Sequence, residues 1–308
     1  MYTESIVLNV QEVSKSIGKT PIIHNVSFDL KRGEILGLLG PNGSGKTTIL
    51  KMLVGLLKPS AGTIKVEGKD IQLSFEKAIR HIGAIIENPE LYDYLSGYDN
   101  LVHFLQMSES INYERIEEVT KLLRMEDYLQ SKVRTYSLGM KQRLGLAQAM
   151  LHHPSILLLD EPTNGLDPEG MMELRQLLVK LAKEQGVAVI ISSHQLAEIE
   201  LICDSIVVIQ DGSIIEKSNL REEGDSESNV GSYTFKILNI KTVTSIIEGF
   251  ALPNLVLNEE GFQVDLTEMG VSELNKRLIK HEIDVVGIKR TENTLEDRFL
   301  KTLKGRSK

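Results

Sequence analysis

One run of the chain limits its fold more than any other: Gly40, Pro41, Asn42, Gly43, Ser44, Gly45, Lys46 and Thr47 fit the pattern G-x-x-x-x-G-K-[ST]. Before it lies the apolar run Ile35–Leu39, and after it Thr48 and a helical pattern reaching Leu57. The spacing thus predicts strand, tight turn and helix. Glycines let the turn fold into a nest of N–H groups around an anion, and a helix opening behind Gly45 aims its positive end at the same point. In such a loop Lys46 serves the β- and γ-phosphates, and Thr47 offers a hydroxyl to Mg²⁺. Kinases, GTPases and ATPases all remain open on this evidence.

The surrounding pattern predicts an α/β fold with a P-loop NTPase core. Apolar runs at 155–159 and 187–191 are each followed by a turn and helical periodicity, at 169–183 and 195–202, as expected of strands covered on both faces. The segments 6–35 and 62–68 predict an antiparallel β subdomain, and about 88–151 a helical subdomain, with Ile116, Val119, Leu122 and Leu123 on one face of a helix over 112–124. Asp211 and Gly212 between apolar runs predict a hairpin. Residues 1–219 form the first expected domain, and the polar stretch 220–231 a linker. Residues 232–308 form a small α+β domain whose βαββαβ order, with helices near 241–249 and 271–281, suggests a ferredoxin-like fold. A last helix is expected over 294–302.

The second chemical element is the apolar strand closing on Asp160 and Glu161. Ligands in such sheets bind at the carboxyl ends of strands, which turns this acid pair towards the phosphates. Asp160 is the expected Mg²⁺ partner, and Glu161 the residue that orients and deprotonates the attacking water.

Composition excludes other classes. A net charge of −8 argues against a duplex-binding protein, so no direct nucleic-acid partner is expected. The single cysteine, Cys203, permits no intrachain disulfide and sits in an apolar setting expected to be core. Neither a secretory signal nor a run near the roughly 20 apolar residues of a spanning helix is evident, which places the expected protein in the bacterial cytoplasm, peripheral to the membrane.

A third element completes a resemblance. Ser137, Leu138, Gly139, Met140, Lys141, Gln142 and Arg143 open a helix before the acid strand, followed by Asn164 to Asp167 and by Ser193-His194. With these, residues 6–217 resemble the ABC ATPase family. The resemblance implies that the signature Ser137 to Met140 caps the γ-phosphate held by a second ATPase subunit, in a head-to-tail homo- or heterodimer around ATP. It implies further that His194 contacts the γ-phosphate, that Asp167 lies in a dimer-contact loop, and that separate transmembrane permease subunits are partners at the cytoplasmic face. The alternative is a non-transport relative acting on ribosome or DNA, but those usually carry two cassettes or a long coiled coil, and this chain has one phosphate loop and no sustained heptads.

Departures from the family pattern refine this. Leu138 and Met140 replace the usual Gly and Gln of the signature. Ile17 stands where most members have an aromatic against adenine, with Tyr2 as a candidate substitute. Glu87 replaces the usual Gln, a residue that touches Mg²⁺ and the attacking water while its loop meets the permease. Together these resemble the subfamily exporting bacitracin or lantibiotic-type peptides, and so imply a resistance or immunity role. The close of the chain, with Leu295, Phe299 and Leu300, resembles the ending of exporter ATPases that carry a C-terminal extension, where packing on its own domain is expected.

Overall fold

The computed structural model describes residues 5–107, 111–220, 231–238, 247, 249–250, 252–258 and 260–291. It divides into two compact units, Met1–Leu220 and Arg221–Lys308.

In the first unit, β1 (Ile6–Ile17) and β2 (Thr20–Lys31) form a long hairpin. It extends into an antiparallel sheet through β4 (Ala61–Val66) and β5 (Lys69–Asp70), in the order β2-β1-β4-β5. The second sheet carries the chemistry. Its strands are β3 (Ile35–Leu39), β6 (Ile82–Ile85), β7 (Ile156–Asp160), β8 (Ala188–Ser193), β9 (Ser205–Gln210) and β10 (Ser213–Asn219). Their order is β10-β9-β3-β8-β7-β6. Every residue of β3, β7 and β8 is buried, which is why these segments read as unbroken aliphatic runs rather than alternating ones. The pairings among β9, β3, β8, β7 and β6 are parallel, so their carboxyl ends converge on one edge.

Helices α1 (Lys46–Leu53) and α2 (Phe75–Ile79) precede β6. The helical subdomain supplies α3 (Gly97–Leu105), α4 (Glu114–Leu122) and α5 (Leu138–Met150). α4 is shorter than the periodicity over 112–124 predicts. The Asn112 side chain accepts from the Glu114 N–H in a turn before it, and Arg124 at φ 54° leaves helical space after it. α6 (Pro168–Gln185) and α7 (Leu196–Glu200) connect β7 to β8 and β8 to β9. Cys203 is buried, and burial first, then Asp204 and Glu34, push its thiol pKa up, making it a protonated core residue.

The second unit is a four-stranded antiparallel sheet of β11 (Gly231–Ile237), β12 (Val256–Asn258), β13 (Gly261–Leu266) and β14 (Val285–Thr291), ordered β12-β13-β11-β14. Helix α8 (Glu268–Lys280) packs on β13 and β14. This is the strand order of the split β-α-β arrangement. Phe235 and Phe262 stack face to face in its core, centroids 5.0 Å apart. Gly231, read from sequence as the last linker residue, opens β11. The linker proper (221–230), most of the helix near 241–249, the closing helix with Leu295, Phe299 and Leu300, and Tyr2 lie outside the described residues.

Candidate nucleotide site

The loop between β3 and α1 takes the shape its residues predict. Gly45 stands at φ 109° just before the helix, a backbone state closed to residues with a Cβ, and an added Cβ would lie 2.5 Å from the Ile23 side chain. Lys46 is buried, and its Nζ donates to the carbonyls of Gly40 at 2.7 Å and Pro41 at 3.3 Å. The Ser44 Oγ is also buried and has no partner among the described residues. A buried hydroxyl without a partner is costly, and a phosphate oxygen in the loop would satisfy it. Pro41, Asn42 and Gly43 form the exposed lip, and Thr48 is half-buried behind it.

The acid pair lies directly against this loop. The Thr47 hydroxyl donates to Asp160 Oδ2 at 2.8 Å, so the two expected Mg²⁺ contacts already adjoin. Glu161, one residue past β7 and at φ 49°, is held on both sides. Its Oε1 lies 3.5 Å from Lys46 Nζ, and its Oε2 lies 2.8 Å from His194 Nδ1. A carboxylate only accepts, so the imidazole presents Nδ1–H to it. Lys46, Thr47, Asp160, Glu161 and His194 thus meet, although they come from three separate stretches of the sequence.

Ser192, to which the sequence reading assigned no role, ties the acids together. Its Oγ donates to Asp160 Oδ1 at 2.5 Å and accepts from the Glu161 N–H at 2.9 Å. The residue pairs with Asp160 across the parallel β7–β8 register and is fully buried. The one sequence signal was a small hydroxyl residue ending an apolar strand.

Glu87 is placed differently from the rest of the expected site. It follows β6 at φ 68°, and its Oε1 pairs with Lys51 Nζ of α1 at 2.7 Å. The signature is also separate, and among the described residues Ser137 to Met140 make no hydrogen bond to residues 40–48. Ser137 caps α5, its Oγ accepting from the Met140 N–H at 3.3 Å. Burial pushes the preceding Tyr136 phenol up to about 12, and its hydroxyl donates to the Tyr128 carbonyl at 2.8 Å, fixing the entry to the helix. The loop before α6 packs on the signature. The Gln142 side-chain amide donates to the Asn164 carbonyl at 3.4 Å, and Leu138 Cδ2 lies 2.6 Å from where a Cβ on Gly165 would stand. Gly139 faces Leu166, and Asp167 caps α6 through the Gly170 N–H at 2.9 Å. A cavity of about 660 Å³ runs beside Ser137, Leu138, Met140 and Asp167. Ile17 is exposed at the end of β1.

Comparison with known proteins agrees with this architecture. A family model described as ABC transporter matches residues 23–164. The ABC transporter ATP-binding protein YhcH of Bacillus subtilis is 44% identical over 294 residues, covering 96% of this chain and 95% of that protein. The bacitracin transport ATP-binding protein BcrA of Bacillus licheniformis is 34% identical over 302 residues, with 98% of each covered. Among solved structures, the ATP-binding cassette MJ0796, a dimer in a post-hydrolysis state bound to ADP and Pi, superposes with a TM-score of 0.63 at 26% identity. That match covers 70% of this chain and 99% of the cassette. Among the described residues no helix is long and apolar enough to cross a membrane. The chain therefore belongs to the ATP-binding subunits of the ABC transporter family and is an ATPase of that family.

Proposed function

We propose that this chain hydrolyses Mg²⁺-ATP to ADP and phosphate as one of two cassettes closing on nucleotide, and that it powers export of a peptide antibiotic through separate permease subunits at the cytoplasmic membrane face. The observation that carries the catalytic part is Glu161 held between Lys46 and His194. In this reading the loop amides, the Ser44 hydroxyl and Lys46 bind the phosphates. Thr47 and Asp160 would hold Mg²⁺, whose contribution is charge neutralisation on the phosphate oxygens. Glu161 accepts the proton of the attacking water, and His194 keeps its carboxylate in place. The Ser137 to Met140 helix start supplies a second set of amides for the γ-phosphate held by the other subunit, with the Asp167 loop at the same contact.

The peptide-antibiotic part rests on relatives named for bacitracin transport, matched over nearly the whole chain, and on the departures at Glu87, Leu138 and Met140. Relatives of this kind also speak against a ribosome- or DNA-directed role. The test of the motor is Glu161→Gln. With ATP the variant should bind nucleotide, fail to release phosphate and run as a dimer in light scattering; a monomer under every nucleotide condition would sink the two-cassette mechanism for a homodimer. The test of the cargo is co-expression with the cognate permease in a sensitive host, where wild-type chain but not Glu161→Gln should raise bacitracin tolerance.

A further inference from the structure

Helix α1 supplies two lysines to two glutamates in matching positions. Strands β6 and β7 are parallel neighbours with Ile85 opposite Leu159. Glu87 and Glu161 each lie two residues beyond that pair, and each has left-handed backbone, φ 68° and 49°. Residues with a side chain avoid that region unless their surroundings hold them there. Lys46, at the start of α1, faces Glu161 at 3.5 Å, and Lys51, near its end, faces Glu87 at 2.7 Å. The second pair repeats the first one strand further along the sheet edge. The repetition matters because Glu87 adds a negative charge beside the same helix whose first residue, Lys46, belongs to the phosphate loop. Like charges repel, so a carboxylate on that helix opposes a bound triphosphate.

We propose that Lys51 is a positioning residue for Glu87, which cancels the charge of that carboxylate towards bound nucleotide and sets its orientation at the sheet edge. The pair is part-exposed, with side-chain exposures of 33% and 63%, so its contribution to folding is minor. Its effect falls on nucleotide affinity. Nothing in the composition or spacing of the chain links the two residues. The competing account is that Lys51, in the last turn of α1, merely complements the helix dipole.

A double-mutant cycle separates the two accounts. The readouts are the Kd for trinitrophenyl-ATP, measured with Mg²⁺ and in EDTA, together with KM and kcat for ATP and the melting temperature. Lys51→Met should weaken probe binding about three- to fivefold, the size expected of one part-exposed charge acting on an anion. Adding Glu87→Gln should bring binding back to within about twofold of wild type, because the unbalanced carboxylate is then gone. Lys51→Arg should bind like wild type. A helix-dipole role would instead lower the melting temperature and leave Glu87→Gln unable to rescue it. Independent, multiplying effects of the two substitutions on Kd would overturn the proposal. It rests on the nucleotide reading above, yet the two fail differently: a wild-type chain that binds no probe overturns both, whereas normal wild-type binding with an additive cycle overturns this one alone.

Discussion

Ser192 shows most sharply what a single side chain does here and why its residue type alone did not reveal it. Its hydroxyl spends its donor on Asp160 and accepts from the backbone of Glu161, so one small group sets the spacing of the acid proposed to hold Mg²⁺ and the acid proposed to accept the proton. Sequence made both acids legible, because an aliphatic strand ending in Asp-Glu beside a phosphate loop has few other uses. It did not make Ser192 legible, since parallel register is a property of the assembled sheet and not of either strand. The same holds for Lys51 and Glu87, which meet although β4, β5, α2 and β6 separate them along the chain. Ser192→Ala should leave the Asp160 Oδ1 and the Glu161 N–H short of a partner in a buried setting, a loss of about 1–3 kcal/mol. Expressed in the reaction, kcat should fall about tenfold, equivalent to about 1.4 kcal/mol. KM for ATP should change little, since the phosphate loop is untouched. Phosphate-release kinetics measure both; an unchanged kcat would show that the acids keep their geometry without the hydroxyl.

At the scale of elements, α6 is legible from explicit signals at both of its ends. α6 begins behind the Asp167 cap with Pro168 at its first position and stops at Gly186, φ 68°, and the sequence reading missed its ends by only a residue or two. α4 lacks a side-chain cap, and its periodic pattern runs past its real end. A further property of the elements concerns acid. His81, His152 and His153 cluster where β6, the end of α5 and the start of β7 meet. The His152 Nε2–H donates to the Ile82 carbonyl at 3.0 Å, and Lys69 Nζ lies 3.1 Å from His81 Nε2. Burial lowers the pKa of all three, assisted at His81 by Lys69 and at His153 by Arg115. A histidine whose folded pKa lies below its unfolded value binds protons more readily when unfolded. These residues therefore leave stability unchanged well above pH 6.5, the ordinary value, and subtract from it as pH falls through 6.5 towards the folded values. The melting temperature of the first unit should drop between pH 7.5 and 5.5, where few carboxylates titrate. His152→Gln, which keeps a donor for the Ile82 carbonyl and removes the titration, should flatten that slope. An identical slope in the variant would assign the acid sensitivity elsewhere.

For the whole molecule, the question is whether two units of very different size behave as one cooperative structure. The first buries a large continuous core under both sheets. The second relies on a handful of residues centred on the Phe235–Phe262 stack, with Tyr233, Val264, Leu274 and Leu278 around it. Small domains bury proportionally less of their surface and hold only a few kcal/mol of stability in reserve. Removing the Phe235 ring, which is fully buried, costs about 3–5 kcal/mol. That approaches the whole reserve of a unit this size. The two units also have separate cores, and all the residues of the nucleotide cluster belong to the first. Phe235→Ala should consequently abolish the melting transition of the second unit in calorimetry while leaving that of the first within about a degree or two, and trinitrophenyl-ATP should bind as to wild type, as expected when sites that share no partners act independently. Coupled behaviour would look different: a single transition shifted as a whole, or a weakened nucleotide Kd. Either result would mean that the second unit supports the motor, and that its small core limits the stability of the ATPase.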